Sequence, residues 1–164
     1  MSNNKFIKYV AAASLAACAT AAVAQVETFS ASMDLVDPIT ILNPTPLDMA
    51  AIDITNGAVC QVNGDATTSG AGCLGGTPVG GVVNLTGAVS TAYTISVGGV
   101  AGAPTGVTFV PFFGTTLADT TLATETFSAG GAGSHTVGGQ VTVGAGASAE
   151  TNASVSYDVT VTYN

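Results

Sequence analysis

The single histidine, His135, stands between Ser134 and Thr136, just after the glycine-rich run Ala129 to Ser134. An imidazole beside hydroxyls has the residue types of a nucleophilic hydrolase, in which the ring takes a proton from serine and a carboxylate orients the ring. That chemistry needs a nucleophile and an orienting acid at fixed distances, and nothing in the spacing places either. The acid pairs Asp34 with Asp37 and Asp48 with Asp53 carry the groups for glycoside cleavage, where two carboxyls face each other across a controlled gap. Solvated strand edges account for them more simply. The stretch Gly144 to Ala149, GAGASA, fits the dinucleotide pattern G-x-G-x-x-A, which works only where a helix N-terminus follows to hold the pyrophosphate. Here a polar loop leads into another alternating stretch. Asp65 and Asp119 are loop carboxylates of the kind that bind Ca²⁺, without the ligand spacing of an EF-hand or a repeat loop. The reading is therefore of a non-enzyme with no catalytic, cofactor-binding or metal-ligating residue.

The remaining reactive side chains are cysteines. Cys18 lies in an alanine-rich apolar run, Val10 to Val23, that follows Lys5 and Lys8 and ends in the small residues Ala22-Val23-Ala24. Residues 1–24 thus read as an export signal, too short in its apolar part to span a bilayer stably. Residues 25–164 form a single domain. A rival processing site is Leu15 to Cys18, LAAC, which fits the bacterial lipoprotein pattern and would leave a lipid-anchored Cys18 as the first residue. Either way the destination is the periplasm, the cell surface or the medium. In such an oxidising compartment Cys60 and Cys73 are expected to form one disulfide, worth about 3 kcal/mol for a loop of that length; two free thiols are the alternative.

Both basic side chains of the chain belong to the signal, so the formal charge of −8 becomes −10 when they are removed. Lys and Arg are what neutralise phosphates, which excludes nucleic acid and makes anionic lipid headgroups poor partners. Solubility rests on ten carboxylates and many hydroxyls, with their mutual repulsion screened over about 8 Å at physiological salt.

Those side chains must be held by strands, because a period of two recurs throughout and no stretch after Gln25 sustains a helical period. The expected strands are 29–36, 38–42, 49–54, 58–62, 82–89, 92–97, 107–113, 121–127, 135–143 and 153–163, separated by turn signals such as NPTP, NGA and AGGAGS. Short strands at spacings near ten residues point to an all-β fold, an immunoglobulin-like two-sheet antiparallel sandwich with Greek-key connections, with a closed barrel as runner-up. Phe109, Phe112 and Phe113 are the expected core bulk around Pro111, which suits an edge strand or a bulge. Gly138 and Gly139 mark a bend or a close backbone approach. Val155, Tyr157, Val159, Val161 and Tyr163 form one face of the C-terminal strand, expected in the middle of a sheet. Phe29, Ala31, Met33 and Leu35 alternate with polar residues just after the signal, as the domain's first strand or as a strand donated to a neighbour.

The stretches FSASMDLVDPITIL, LDMAAI, GGVVNLTG, TAYTISV, VGGQVTVGAGASAE and SVSYDVTVTYN resemble, over nearly the whole chain, the bacterial secreted family called domain of unknown function 4402. The resemblance implies an exported all-β domain without known catalysis and assigns no active-site residue. More distantly, the alternating final strand with its penultimate aromatic, Tyr163, is similar to fimbrial subunits of the chaperone and usher type. This implies a surface, fimbria-like structural protein whose partners are copies of itself or other surface subunits, joined by strand addition. The alternative is a self-contained periplasmic or lipid-anchored binding module.

Overall fold

Strand-forming residues in alternation decide the architecture. The computed structural model describes Ser30, Ser32, Met33 and residues 35–164, of which Leu35–Asn164 form one compact unit. It contains β1 (Thr40–Thr45), β2 (Ala51–Ile52), β3 (Val59–Val62), β4 (Thr68–Ser69), β5 (Cys73–Gly75), β6 (Gly81–Thr86), β7 (Ala92–Ala101), β8 (Val107–Phe113), β9 (Thr121–Thr126), β10 (Ala132–Val143) and β11 (Ser156–Tyr163). No helix occurs among the described residues, and none is long and apolar enough to cross a membrane. The expected signal, Cys18, Phe29, Ala31 and Asp34 lie outside the described residues.

All strand pairs are antiparallel. One sheet has the order β1-β6-β10-β3-β4, a second β11-β7-β9, and a two-stranded piece joins β2 to β5. The long β10 organises the first. Its Ala132–Val137 half pairs with β6 and Gly139–Thr142 with β3, while β8 matches Val137–Val143. Because Gly139–Thr142 face β3 and β8 at once, those two strands lie on opposite edges of β10. Pro111 then falls on a strand whose only sheet partner among the described residues is β10, where its missing N–H costs no ladder bond.

Glycines at the expected bend serve close approach. A Cβ on Gly138 would strike the Val62 carbonyl and the Phe112 ring, and one on Gly139 would strike the Phe109 ring. The Phe112 and Phe109 rings therefore approach the glycine backbone closely, and Phe109, Phe112 and Phe113 are all buried as expected.

Alternation puts Val83 and Leu85 of β6, Val137 of β10 and Phe113 of β8 against Tyr93, Ile95 and Val97 of β7, so the two larger sheets share one core. A smaller cluster gathers Phe109, Val141 and Val143 with Leu47, Met49 and Val155. Each fully buried aliphatic or aromatic side chain contributes about 1.5–3 kcal/mol. The disulfide between Cys60 and Cys73 is present, with Cα atoms 4.8 Å apart, and it ties β3 to β5.

Three expectations change. Among the described residues the C-terminal strand is not in the middle of a sheet; β11 lies at an edge, bonded there only to β7. The reason is that its alternation reports one covered face, and a covered face does not require two hydrogen-bonded neighbours. Within the stretch 29–36, the described residues form no strand, and Met33, Leu35 and Val36 are 75%, 89% and 55% exposed. The short strands β4 and β5 lie in the polar loop between the cysteines, where two or three residues are too few to show a period.

Candidate functional site

β11 presents Tyr157, Val159, Val161 and Tyr163 inward, half-buried against the shared core, and Asp158, Thr160 and Thr162 outward. Its register with β7 runs from Ser156↔Ala101 to Tyr163↔Tyr93. The opposite edge has no strand partner among the described residues. β1 is likewise an edge among the described residues, bonded there only to β6. Tyr157 has its hydroxyl beside Gly81 and Tyr163 has its hydroxyl beside Gly87, so β11 follows β6 in the same sense and runs opposite to β1.

Between these two free edges lies a groove of 540 Å³, lined by Ile41 and Pro44 of β1, Val82 and Val83 of β6, and Tyr157 and Val159 of β11. Pro46, Thr45, Asp158 and Thr160 complete a lining that mixes apolar and polar side chains, and the edge of β11 that borders it has no ladder partner among the described residues. Natural proteins protect such edges with charge, proline or a covering segment. On β11 the only charge is Asp158. The arrangement suits an extended peptide, whose backbone would continue the ladder while alternate side chains enter the groove.

The lead-in to β1 is fixed at one end of this groove. Tyr163 accepts a hydrogen bond at Oη from the Ala88 amide, 2.6 Å, and donates one to the Asp37 carbonyl, 2.5 Å. Its ring sits edge-on to Phe127 at 6.0 Å. Immediately before the anchored Asp37 come the exposed Leu35 and Val36. The penultimate aromatic was legible as a strand residue, but nothing in the sequence signals its hydroxyl's contact with the start of the domain, 126 residues away.

His135 is engaged elsewhere. Its Nε2 lies 2.6 Å from the Tyr93 hydroxyl, and its ring packs edge-on against Tyr93 and Phe113. This pair links β10 of one sheet to β7 of the other. Burial pushes the imidazole below its ordinary pKa, partly opposed by the negative charge of Glu125, and burial with Glu125 raises the Tyr93 phenol. Ser134 points its hydroxyl to Asn84 at 2.9 Å, not to the ring.

Of the carboxylates singled out in the sequence, Asp34 lies outside the described residues and Asp48, Asp53 and Asp65 are spent on turns. Asp48 accepts from the Ala50 amide; Asp53 accepts from the Thr55 amide and hydroxyl; Asp65 does the same with Thr67. The threonine hydroxyls and then the amides hold Asp53 and Asp65 below the usual carboxylate pKa. Residues 144–149 are turn and loop with no helix after them, so GAGASA offers no helix terminus to a pyrophosphate. No group of three or more His, Cys, Asp or Glu is placed to hold a metal among the described residues. No family model, no curated protein and no solved structure matches this chain.

Proposed function

We propose that this chain is an exported, non-enzymatic structural subunit of a surface assembly, an immunoglobulin-like two-sheet sandwich with Greek-key connections whose copies join by strand addition. The observation that carries the reading is the edge of β11, which has no strand partner among the described residues, beside a groove with Ile41, Pro44, Val82 and Val159 in its lining, and an exposed apolar lead-in anchored by Tyr163. The donated strand is Phe29, Ala31, Met33 and Leu35 of a second copy or of another surface subunit. The stretch from Phe29 to Val36 has the length of β11, 8 residues. Leu35 and Val36 turn their side chains to solvent instead of covering their own domain. A donor strand on one copy and an acceptor groove on the next make a head-to-tail contact, which extends into a filament unless the rotation closes.

A second reading is supported by the groove's size, which falls in the range of small-ligand pockets. Under it the protein is a self-contained periplasmic or lipid-anchored binding module. Size-exclusion chromatography and electron microscopy of the mature chain separate the two: polymers are expected from the first, and uniform monomers at high concentration would overturn it. Mass spectrometry of the mature N-terminus distinguishes Gln25 from a lipidated Cys18.

A further inference from the structure

The loop between β10 and β11 carries a modification signal that neither the fold nor the groove uses. From Gly144 to Val155 the chain forms no strand. Ala147 and Val155 pack on the smaller cluster, and Ser148 to Ser154 between them are all exposed. Within this span stands Glu150-Thr151-Asn152-Ala153-Ser154. Asn152-Ala153-Ser154 satisfies N-x-S/T, the acceptor pattern for asparagine-linked glycan. Asn152 sits in a turn at φ 59°, the left-handed region that asparagine tolerates better than most residues, and the turn holds the tripeptide clear of both sheets.

The chain contains the same pattern at Asn84-Leu85-Thr86, and the fold separates the two. Asn84 lies within β6, which is bonded to β1 on one edge and β10 on the other. Its side chain accepts from Ser134 Oγ, and Leu85 is 1% exposed. A transferase must draw the acceptor tripeptide into its own cleft, and at Asn84 that would strip both ladders and unseat a core leucine. At Asn152 it would break neither.

We infer that Asn152 is the acceptor of an asparagine-linked oligosaccharide on the exported, folded protein, and that Asn84 is not. The co-reactant is an oligosaccharide carried on a polyprenyl diphosphate. The Asn152 Nδ2 forms a bond to the anomeric carbon as the carbon–oxygen bond to the diphosphate breaks. The polyprenyl diphosphate leaves with the electron pair, and one amide proton passes to a base of the transferase. No oxidant or reductant is involved. The inference needs export but is independent of strand addition.

The test uses the folded, disulfide-bonded chain from Gln25 to Asn164, incubated with a purified bacterial oligosaccharyltransferase and a lipid-linked oligosaccharide. Intact mass is then read by mass spectrometry, with a synthetic peptide spanning Gly146 to Tyr157 confirming that the transferase is active. The expected result is a gain of one glycan mass that disappears in Asn152→Gln and in Ser154→Ala and persists in Asn84→Gln. Chymotryptic peptides locate it, since the mature chain has no lysine or arginine for trypsin. An unmodified folded protein beside a modified peptide, or a glycan that survives Asn152→Gln, overturns the inference.

Discussion

Replacing Tyr163 with phenylalanine removes one oxygen and leaves the ring packed on Phe127. Two hydrogen bonds are lost, and they differ in cost. The Ala88 amide belongs to a residue only 9% exposed; deprived of Tyr163 Oη it is left with an unmet donor, which costs about 1–3 kcal/mol. The Asp37 carbonyl belongs to an exposed residue, so water replaces the hydroxyl there at a net loss of about 0.5 kcal/mol or less. The sum is about 1–3 kcal/mol, or roughly 3–10 °C in Tm for a domain of this size. Urea unfolding of both proteins should show a lower midpoint with an unchanged slope, because the surface exposed on unfolding is the same. Amide exchange adds a local readout: the Ala88 amide should exchange faster in Tyr163→Phe, while core amides of β10 lose only what the global destabilisation removes. A variant within 0.5 kcal/mol of the parent, with Ala88 protection unchanged, would refute the claim that this hydroxyl ties the lead-in to the end of β11.

Further outcomes follow from the same packing. Because His135 has its folded pKa lowered by burial, the unfolded chain binds a proton more readily; stability is full above the unfolded value near 6.5 and falls as pH drops toward the lower folded value. Denaturation at pH 7.5 and 5.5 should show this loss, and His135→Gln should flatten it. Gly139→Ala drives a methyl into the Phe109 ring and should cost about 1–3 kcal/mol, whereas Gly98→Ala meets nothing within 4 Å and should stay within about 0.5 kcal/mol; equal effects at the two positions would contradict the packing of the rings over β10. Removing the disulfide in a Cys60→Ala, Cys73→Ala double variant should cost about 2–4 kcal/mol, read from the urea midpoint.

The strands with long, clean alternation were legible because each has one covered face: β8 was bounded to the residue, and β7, β10 and β11 were found with shifted ends. Their neighbours were not legible. Period reports which side chains are covered, whereas the position of β11 in its sheet depends on main-chain groups that carry no residue code. Leu35 and Val36 end an alternating stretch yet are exposed, since alternation marks capacity for a sheet and not burial in one. The groove has no signature in the sequence for a similar reason. Ile41 and Val159 are far apart in sequence, and only the fold brings β1 and β11 to either side of it. The disulfide and the roles of Gly138 and Gly139 were readable because covalent reach and the missing Cβ are local properties.

The most direct measurement traps the donated strand in place. One preparation of the mature protein carries Leu35→Cys, and a second, bearing a size tag, carries Val159→Cys in the groove; they are mixed under mild oxidation and resolved without reductant. Strand addition predicts a covalent heterodimer across copies, absent when the second cysteine is instead Thr121→Cys on β9, the far edge of the same sheet. Mixtures that stay monomeric, or that couple equally well to β9, would contradict the account.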